Sequence, residues 1–184
     1  MIRHVIIEGP DGAGKDTLIE QLLKELPQLT KHERASTSVG GPVPDLQEWH
    51  MRDLAGIRDH VPSIYNRHPV ISEPIYGRIV REQPFGWYGR PGWTRMQREL
   101  LAAHCMLVMC LPPLRVVEAN VQSTQDGQMA GVVPHIRDIW RAYSNGPVWP
   151  GIQAWYDYTQ LPSILPSLID RVGRCLGRTY HGRV

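Results

Sequence analysis

His4-Val5-Ile6-Ile7-Glu8-Gly9-Pro10-Asp11-Gly12-Ala13-Gly14-Lys15-Asp16-Thr17 is the stretch that decides the fold. It opens on a short β-branched run that stops at Gly9 and Pro10, as a strand buried in a parallel sheet does. Gly9 to Lys15 then fills the first seven positions of the phosphate-binding pattern G-x-x-x-x-G-K-[ST], between a strand and a helix. Glycines let the backbone curl until successive N–H groups aim at one anion. The helix N-terminus adds partial positive charge. Lys15 adds a mobile full charge for the terminal phosphates, and it is one of only three lysines. A glycine-rich turn with an incidental lysine is the plainer alternative, but it accounts for neither the spacing nor the context.

One position departs from the pattern. Asp16 stands where Ser or Thr should follow the lysine, and Thr17 comes next. The hydroxyl at that place normally ligates Mg²⁺. Asp16 is a hard oxygen donor and suits the metal itself. Alternatively it holds a metal-bound water while Thr17 contacts a phosphate. A carboxylate beside ATP phosphates needs a cation between them, so dependence on Mg²⁺ as well as ATP is expected.

Outward from the motif, strands alternate with helices. Leu18, Ile19, Leu22, Leu23 and Leu26 share one helical face, and Pro27 ends that helix. Residues 30–44 read mainly as loop with room for a short strand. Asp45 suits the cap of a helix running to about residue 59. Residues 63–65 read as a strand that delivers Asn66 and Arg67 at its end. Helices are expected over 72–82, 94–104 and 114–122, with a central strand over 105–111. Ile136, Ile139, Trp140 and Tyr143 mark another helix, residues 154–159 a last strand, and 164–176 a C-terminal helix. The expected fold is α/β, of the P-loop NTPase type: a mainly parallel β-sheet flanked by helices, in a single domain over residues 1–184.

Composition narrows the class. The chain has 184 residues, 42% hydrophobic and 21% charged, ordinary for a soluble globular domain. The longest clean apolar run covers 105–111, far short of the roughly 20 residues of a membrane span. The opening run meets Glu8 at once, unlike a signal peptide. Cys105, Cys110 and Cys175 are an odd set with no metal-ligand spacing, which suggests reduced thiols and a cytoplasmic location. Net charge is only +2, yet all basic residues except the three lysines are arginines. Five of them, Arg78, Arg81, Arg90, Arg95 and Arg98, face one acid, Glu82, in the same segment. Arginine's planar fork suits phosphate and carboxylate. A GC-rich genome would explain the overall bias but not the clustering.

Glu8 through Lys15 resembles the loop of thymidylate kinases and related deoxynucleoside and deoxynucleotide kinases, including many phage members. Asn66-Arg67-His68-Pro69-Val70-Ile71-Ser72-Glu73-Pro74-Ile75-Tyr76-Gly77 resembles that family's Asp-Arg-aromatic stretch with its later Ser and Tyr. Leu111-Pro112-Pro113 after the central strand, then helix, lid and helix, is a weaker third match. The resemblance implies that Gly9, Asp11, Gly12, Ala13, Gly14, Lys15, Asp16 and Thr17 bind ATP and Mg²⁺. It implies that Asp11 contacts the acceptor nucleotide and that Arg67 holds the acceptor's phosphate and reaction centre. Asn66, Tyr76, Arg78 and Trp87 complete the expected substrate site. Related enzymes are often homodimers, and a phage-encoded member would work in the host cytoplasm.

Two departures from the family pattern stand out. The acid of the Asp-Arg pair is Asn66 here, and Asp16 would restore a negative charge if it lies nearby. The lid, about 123–134, contains no arginine; Arg137 and Arg141 follow it, one helical turn apart. They reach the transferred phosphoryl group from one face, or they belong to a solvated helix face. Glu73 either accepts a substrate hydroxyl proton or binds sugar, or it is a first-turn acid favoured by the helix dipole. Residues 157–159 either shape an adenine pocket or serve ordinary core and turn packing.

Phe85-Gly86-Trp87-Tyr88-Gly89-Arg90-Pro91-Gly92-Trp93 forms an aromatic and basic loop over about 84–93. In the family the corresponding stretch helps form the base pocket. Its four aromatics and flanking arginines also suit a single-stranded or flipped DNA base, and a hydrophobic plug is the bland alternative. Three functions therefore stand. The first is a kinase converting a thymidylate-like deoxynucleoside monophosphate to its diphosphate. The second is a kinase for the hydroxymethyl group of 5-hydroxymethyluracil within phage DNA, on the way to thymine hypermodification. The third is a nucleotide-binding protein with impaired catalysis.

Overall fold

The computed structural model describes residues 2–37, 41–59, 61–124, 129, 131–146, 149–160 and 163–177. Five strands form one fully parallel sheet: β1 (His4–Glu8), β2 (Thr30–Lys31), β3 (Ser63–Asn66), β4 (Cys105–Cys110) and β5 (Gln153–Tyr156). Their spatial order is β2-β3-β1-β4-β5. β1 thus sits in the middle, with Val5 level with Ile64 on one side and Met106 on the other. The connections diverge to opposite sides at the carboxyl end of β1, the place where open α/β sheets form their ligand crevice.

Seven helices flank the sheet among the described residues: α1 (Lys15–Glu25), α2 (Leu46–Gly56), α3 (Pro69–Ile79), α4 (Pro91–Ala102), α5 (Leu114–Ser123), α6 (Val132–Ser144) and α7 (Ile164–Cys175). Side chains along β1 and β4 alternate between two cores. Val5, Ile7, Met106 and Val108 pack with Leu18 and Leu22 of α1 and Leu168 and Val172 of α7. Ile6, Leu107 and Met109 pack with residues of α2 to α6, among them Trp49, Ile71, Leu101, Val117 and Tyr143. Burial on both faces explains why these strands read as continuous apolar runs.

Several boundaries differ from the sequence expectation. α3 starts at Pro69 and not at 72, because proline fits the first helical position and His68 caps it, Nδ1 accepting from Val70 N–H. α4 likewise starts at Pro91, so Trp93 lies on a helix; the loop before it holds one short 3₁₀ turn, Gly86–Gly89. β5 ends at Tyr156, and a second 3₁₀ turn follows at Tyr158–Gln160. Pro74 lies inside α3, where it cannot donate to the Val70 carbonyl one turn back. Arg98 of α4 supplies the missing donors, Nε at 3.3 Å and Nη2 at 3.2 Å, and so ties α4 to α3. Of the expected lid, residues 125–128 and 130 lie outside the described residues.

Candidate functional site

The loop after β1 can only be built with glycine at two of its turns. Gly9 has φ 140°, and a Cβ there would stand 2.2 Å from the Cys110 carbonyl oxygen of β4. Gly14 has φ 77°, and its Cβ would meet the Tyr158 ring at 2.8 Å. The loop is braced from α5, where Asn120 donates to the Gly12 carbonyl at 2.8 Å and to the Tyr158 hydroxyl at 2.6 Å. α1 begins at Lys15, which is buried and donates through Nζ to the Pro10 carbonyl at 2.6 Å. Burial, with Arg67 beside it, lowers the Lys15 pKa to about 8, although Asp11, Cys110 and Glu8 pull the other way.

Arg67 is delivered at the carboxyl end of β3, as the sequence suggested, but in the left-handed region, φ 66°. Its backbone N–H still donates to Ile7 across the sheet, at 2.9 Å. A non-glycine residue in that region carries strain that its surroundings must hold. Here the guanidinium is held on three sides. It pairs with Asp11 at 3.0 Å, donates to the Tyr76 hydroxyl at 2.7 Å and to the Gly9 carbonyl at 3.3 Å. The Tyr76 ring lies 4.7 Å beneath it, and its hydroxyl donates to Asp11 at 2.6 Å. Burial alone would raise the Asp11 pKa; the neighbouring Arg67 and Lys15 charges and the Tyr76 bond hold it well below the usual carboxylate range.

Behind Arg67 lies a buried polar layer that no local pattern announces. The His68 backbone N–H donates to Glu8 Oε1 at 2.7 Å, and Tyr143 of α6 donates to Glu8 Oε2 at 2.9 Å. His68 Nε2 meets Asp53 of α2 at 3.2 Å, and Tyr65 donates to the same carboxylate at 2.9 Å. With Nδ1 taken by Val70, the proton of His68 sits on Nε2, so Asp53 accepts it. Burial pushes the Glu8 pKa up, against the His68 bond and the Arg67 charge.

A cleft of about 310 Å³ opens over the loop. Asp11, Lys15, Asp16, Asn66, Arg67, Glu73 and Tyr76, all candidate site residues in the sequence, line it together. Arg34, Arg81, Ser36, Thr37 and Met129 join them, and none of these was singled out beforehand as a site residue. Asp16 Oδ1 accepts from Arg34 at 2.6 Å and from Asn66 at 2.7 Å. Glu73 is buried; its Oε1 accepts from Arg81 and from the Phe85 backbone N–H, the latter at 2.7 Å. All three arginines of the cleft wall are thus paired with a carboxylate. Thr17 is exposed on the first turn of α1.

Gly9, Gly12, Ala13, Gly14 and Thr17 of the loop and first turn are outside the cleft lining, and so are four expected residues beyond the loop. Arg78 is exposed on the last turn of α3. Trp87 stacks on Trp93, centroids 5.3 Å apart and planes within 8°, and packs against the α2–α6 core. Arg137 pairs with Glu118 of α5 at 3.0 Å, and Arg141 with Asp138 one turn back at 3.4 Å. Both of these arginines are more than half exposed, each drawn to an acid on the solvent side. Among the described residues, no group of three or more His, Cys, Asp or Glu forms a metal site, and no helix is long and apolar enough to cross a membrane.

No protein-family model and no curated protein matches the chain. Solved structures do. The YorR protein of Bacillus subtilis, solved with phosphorylated GDP, is 21% identical with a TM-score of 0.65, over 97% of this chain and 99% of that one. Deoxyadenosine kinase from M. mycoides with bound dATP is 10% identical with a TM-score of 0.56, over 95% and 99%. The tunicamycin resistance protein of Deinococcus radiodurans is 22% identical with a TM-score of 0.52, over 97% and 98%. Identities this low speak for architecture alone: a single-domain α/β fold with five parallel strands, the fold of P-loop kinases.

Proposed function

We propose that the chain is an ATP-dependent phosphotransferase whose acceptor is a thymidylate-like pyrimidine deoxynucleotide, converted from monophosphate to diphosphate. The observation that carries it is the Arg67–Asp11–Tyr76 cluster fixed beside Lys15 at the mouth of the phosphate loop. A cation held off its backbone preference by three partners is preorganised for charge that develops between donor and acceptor. Lys15 exchanges its Pro10 carbonyl contact for the terminal phosphates of ATP, and backbone N–H groups from Asp11 to Thr17 cradle the β-phosphate. Arg67 holds the transferring group in line with the acceptor. Catalysis is then positioning and electrostatics.

The donor set fits Mg²⁺. Asp16 and Thr17 offer oxygen atoms on the exposed first turn of α1, and the phosphates and water supply the rest, as this ion usually requires. When bound, the ion would neutralise phosphate charge beside the Asp16 carboxylate. Glu73, which lines the same cleft, would meet the acceptor's sugar or hydroxyl in this reading.

The second function, phosphorylation of a 5-hydroxymethyluracil hydroxyl in DNA, is favoured by one specific observation. The three cleft arginines are each neutralised by an acid, which leaves Lys15 as the surplus cation of the lining. A lining balanced in this way suits an uncharged hydroxyl better than a monophosphate dianion. The test is transfer from γ-labelled ATP to a mixture of free deoxynucleoside monophosphates and, in parallel, to DNA containing 5-hydroxymethyluracil. Label in a diphosphate supports the first function, label in DNA the second. Label in neither, with ATP still bound, overturns both and leaves a binding protein.

A further inference from the structure

The aromatic segment outside the cleft has a different face to offer. Trp87 is partly buried, and Trp93 of α4 stacks on it nearly parallel, yet Trp93 remains 40% exposed. An indole pair with an exposed outer member is a stack that a further flat ring can extend. Met96 and Leu100 lie three and seven residues beyond Trp93, on the same side of α4, and are 44% and 51% exposed. Phe85, 40% exposed at the start of the same segment, instead lines a recess with the acids Asp45 and Glu48. Soluble domains seldom leave so many large apolar side chains together without a use.

Charge decides what covers them. Arg90 caps α4 three residues before Trp93, is exposed, and has no ion-pair partner among the described residues. Arg78 is exposed at the end of α3, next to the Gly77 that packs closely against Pro84. Aromatic faces interleaved with unpaired arginines are the chemistry of a nucleic-acid strand, bases stacked and phosphates paired. A second copy of the chain would bring the same positive charge against itself. The segment also reaches the cleft: the Phe85 N–H is bonded to Glu73, and Arg81, four residues earlier, lines the wall.

We propose that Trp93, Met96 and Leu100, with Arg90, form a docking platform for single-stranded nucleic acid beside the cleft, Trp93 stacking on a base. This rests on the DNA-acceptor function above, and it gives that function the surface that a strand needs. An oligonucleotide binding measurement, independent of catalysis, tests it.

The probe is a fluorescein-labelled oligothymidylate of about twelve nucleotides, followed by anisotropy at several salt concentrations. The full chain binds it, and binding weakens with salt. Trp93→Ala weakens binding about tenfold or more, Trp93→Phe recovers much of it, and Arg90→Ala lowers the salt slope by about 0.7. Binding of a fluorescent ATP analogue is unchanged in all three variants, which also reports that they fold. If Trp93→Ala fails that control, Trp93→Phe and Arg90→Ala carry the decision. No binding by the wild-type chain, or equal binding by the variants, overturns the platform. So does concentration-dependent self-association in sedimentation that Trp93→Ala abolishes without touching oligonucleotide binding. Platform binding without label transfer to DNA would instead sink the DNA-acceptor function and leave the platform standing.

Discussion

Asn66 donates its side-chain amide to the Asp16 carboxylate across 2.7 Å, so the residue that replaces the phosphate-loop Ser or Thr and the amide that ends β3 are in direct contact. One lies at the end of β3, the other on the first turn of α1. A carboxylate at both positions would put two negative charges within hydrogen-bond distance, which disfavours ionisation of either. A neutral donor facing one acid avoids that, and Arg34 balances the remaining charge. Exchange of the two roles follows. Asp16→Ser combined with Asn66→Asp should retain more phosphotransferase activity than Asp16→Ser alone, and Asn66→Asp alone should be the least stable of the three. Initial rates at saturating Mg²⁺ and thermal midpoints decide it; equal loss in the double and the single Asp16 variant would end the idea of compensation.

Lys15→Ala should lower turnover by at least about a hundredfold with the fold intact, because a developing charge loses its nearest cation. The pH dependence of the native lysine is also fixed by its surroundings. Its pKa falls from 10.5 to about 8 on folding. The native state therefore binds fewer protons than the unfolded chain between those values, and stability rises with pH across that window. Affinity for ATP should move the other way, weakening above about pH 8 as the free protein's Lys15 loses its charge. Titration of a fluorescent ATP analogue from pH 7 to 10 checks it, and a flat profile would exclude a depressed Lys15.

What the sequence disclosed follows the range of each interaction. The β1–loop–α1 unit was legible because its signals are local: an apolar run, glycines with positive φ at 9, 12 and 14, and an apolar helical face. Arg34 and Asn120 were not legible. Arg34 meets Asp16 from 18 residues away and Asn120 meets Gly12 from 108, and only the strand order brings either pair together. Spacing correctly set Arg137 and Arg141 one turn apart on α6 but could not tell which way that turn faces. The helices expected from 72 and 94 start earlier, at Pro69 and Pro91, because proline fits the first helical position.

Arg98 illustrates a structural role hidden in a basic cluster. It serves the Val70 carbonyl that Pro74 leaves without a donor. Arg98→Ala should destabilise the chain by about 1–3 kcal/mol, the cost of a carbonyl left without its partner. Pro74→Ala in the same background should restore part of the loss by returning the helical N–H. Denaturant unfolding of the two variants measures it; additive losses would show that Arg98 and Pro74 act independently.

Glu8 joins the phosphate loop to α3 through the His68 N–H and to α6 through Tyr143. It is fully buried, and burial raises its pKa above 4.5, more than the His68 bond and the Arg67 charge lower it. The native state then keeps the Glu8 proton to a higher pH than the unfolded chain does. Its stabilising contribution is complete below 4.5 and is lost as pH rises through the native value, with a slope of at most about 1.4 kcal/mol per pH unit. Glu8→Gln keeps an oxygen for His68 and an N–H for the Tyr143 oxygen but cannot titrate. Its unfolding midpoint should therefore lack the falling component that the wild-type chain shows in that window. Tyr143→Phe should do the reverse, steepening the fall and costing about 1–3 kcal/mol by leaving one carboxylate oxygen without a donor. Superimposable profiles for the wild-type chain and Glu8→Gln would mean that Glu8 is ionised in the native state at all pH values tested, its charge held by Arg67 and Lys15 in spite of burial.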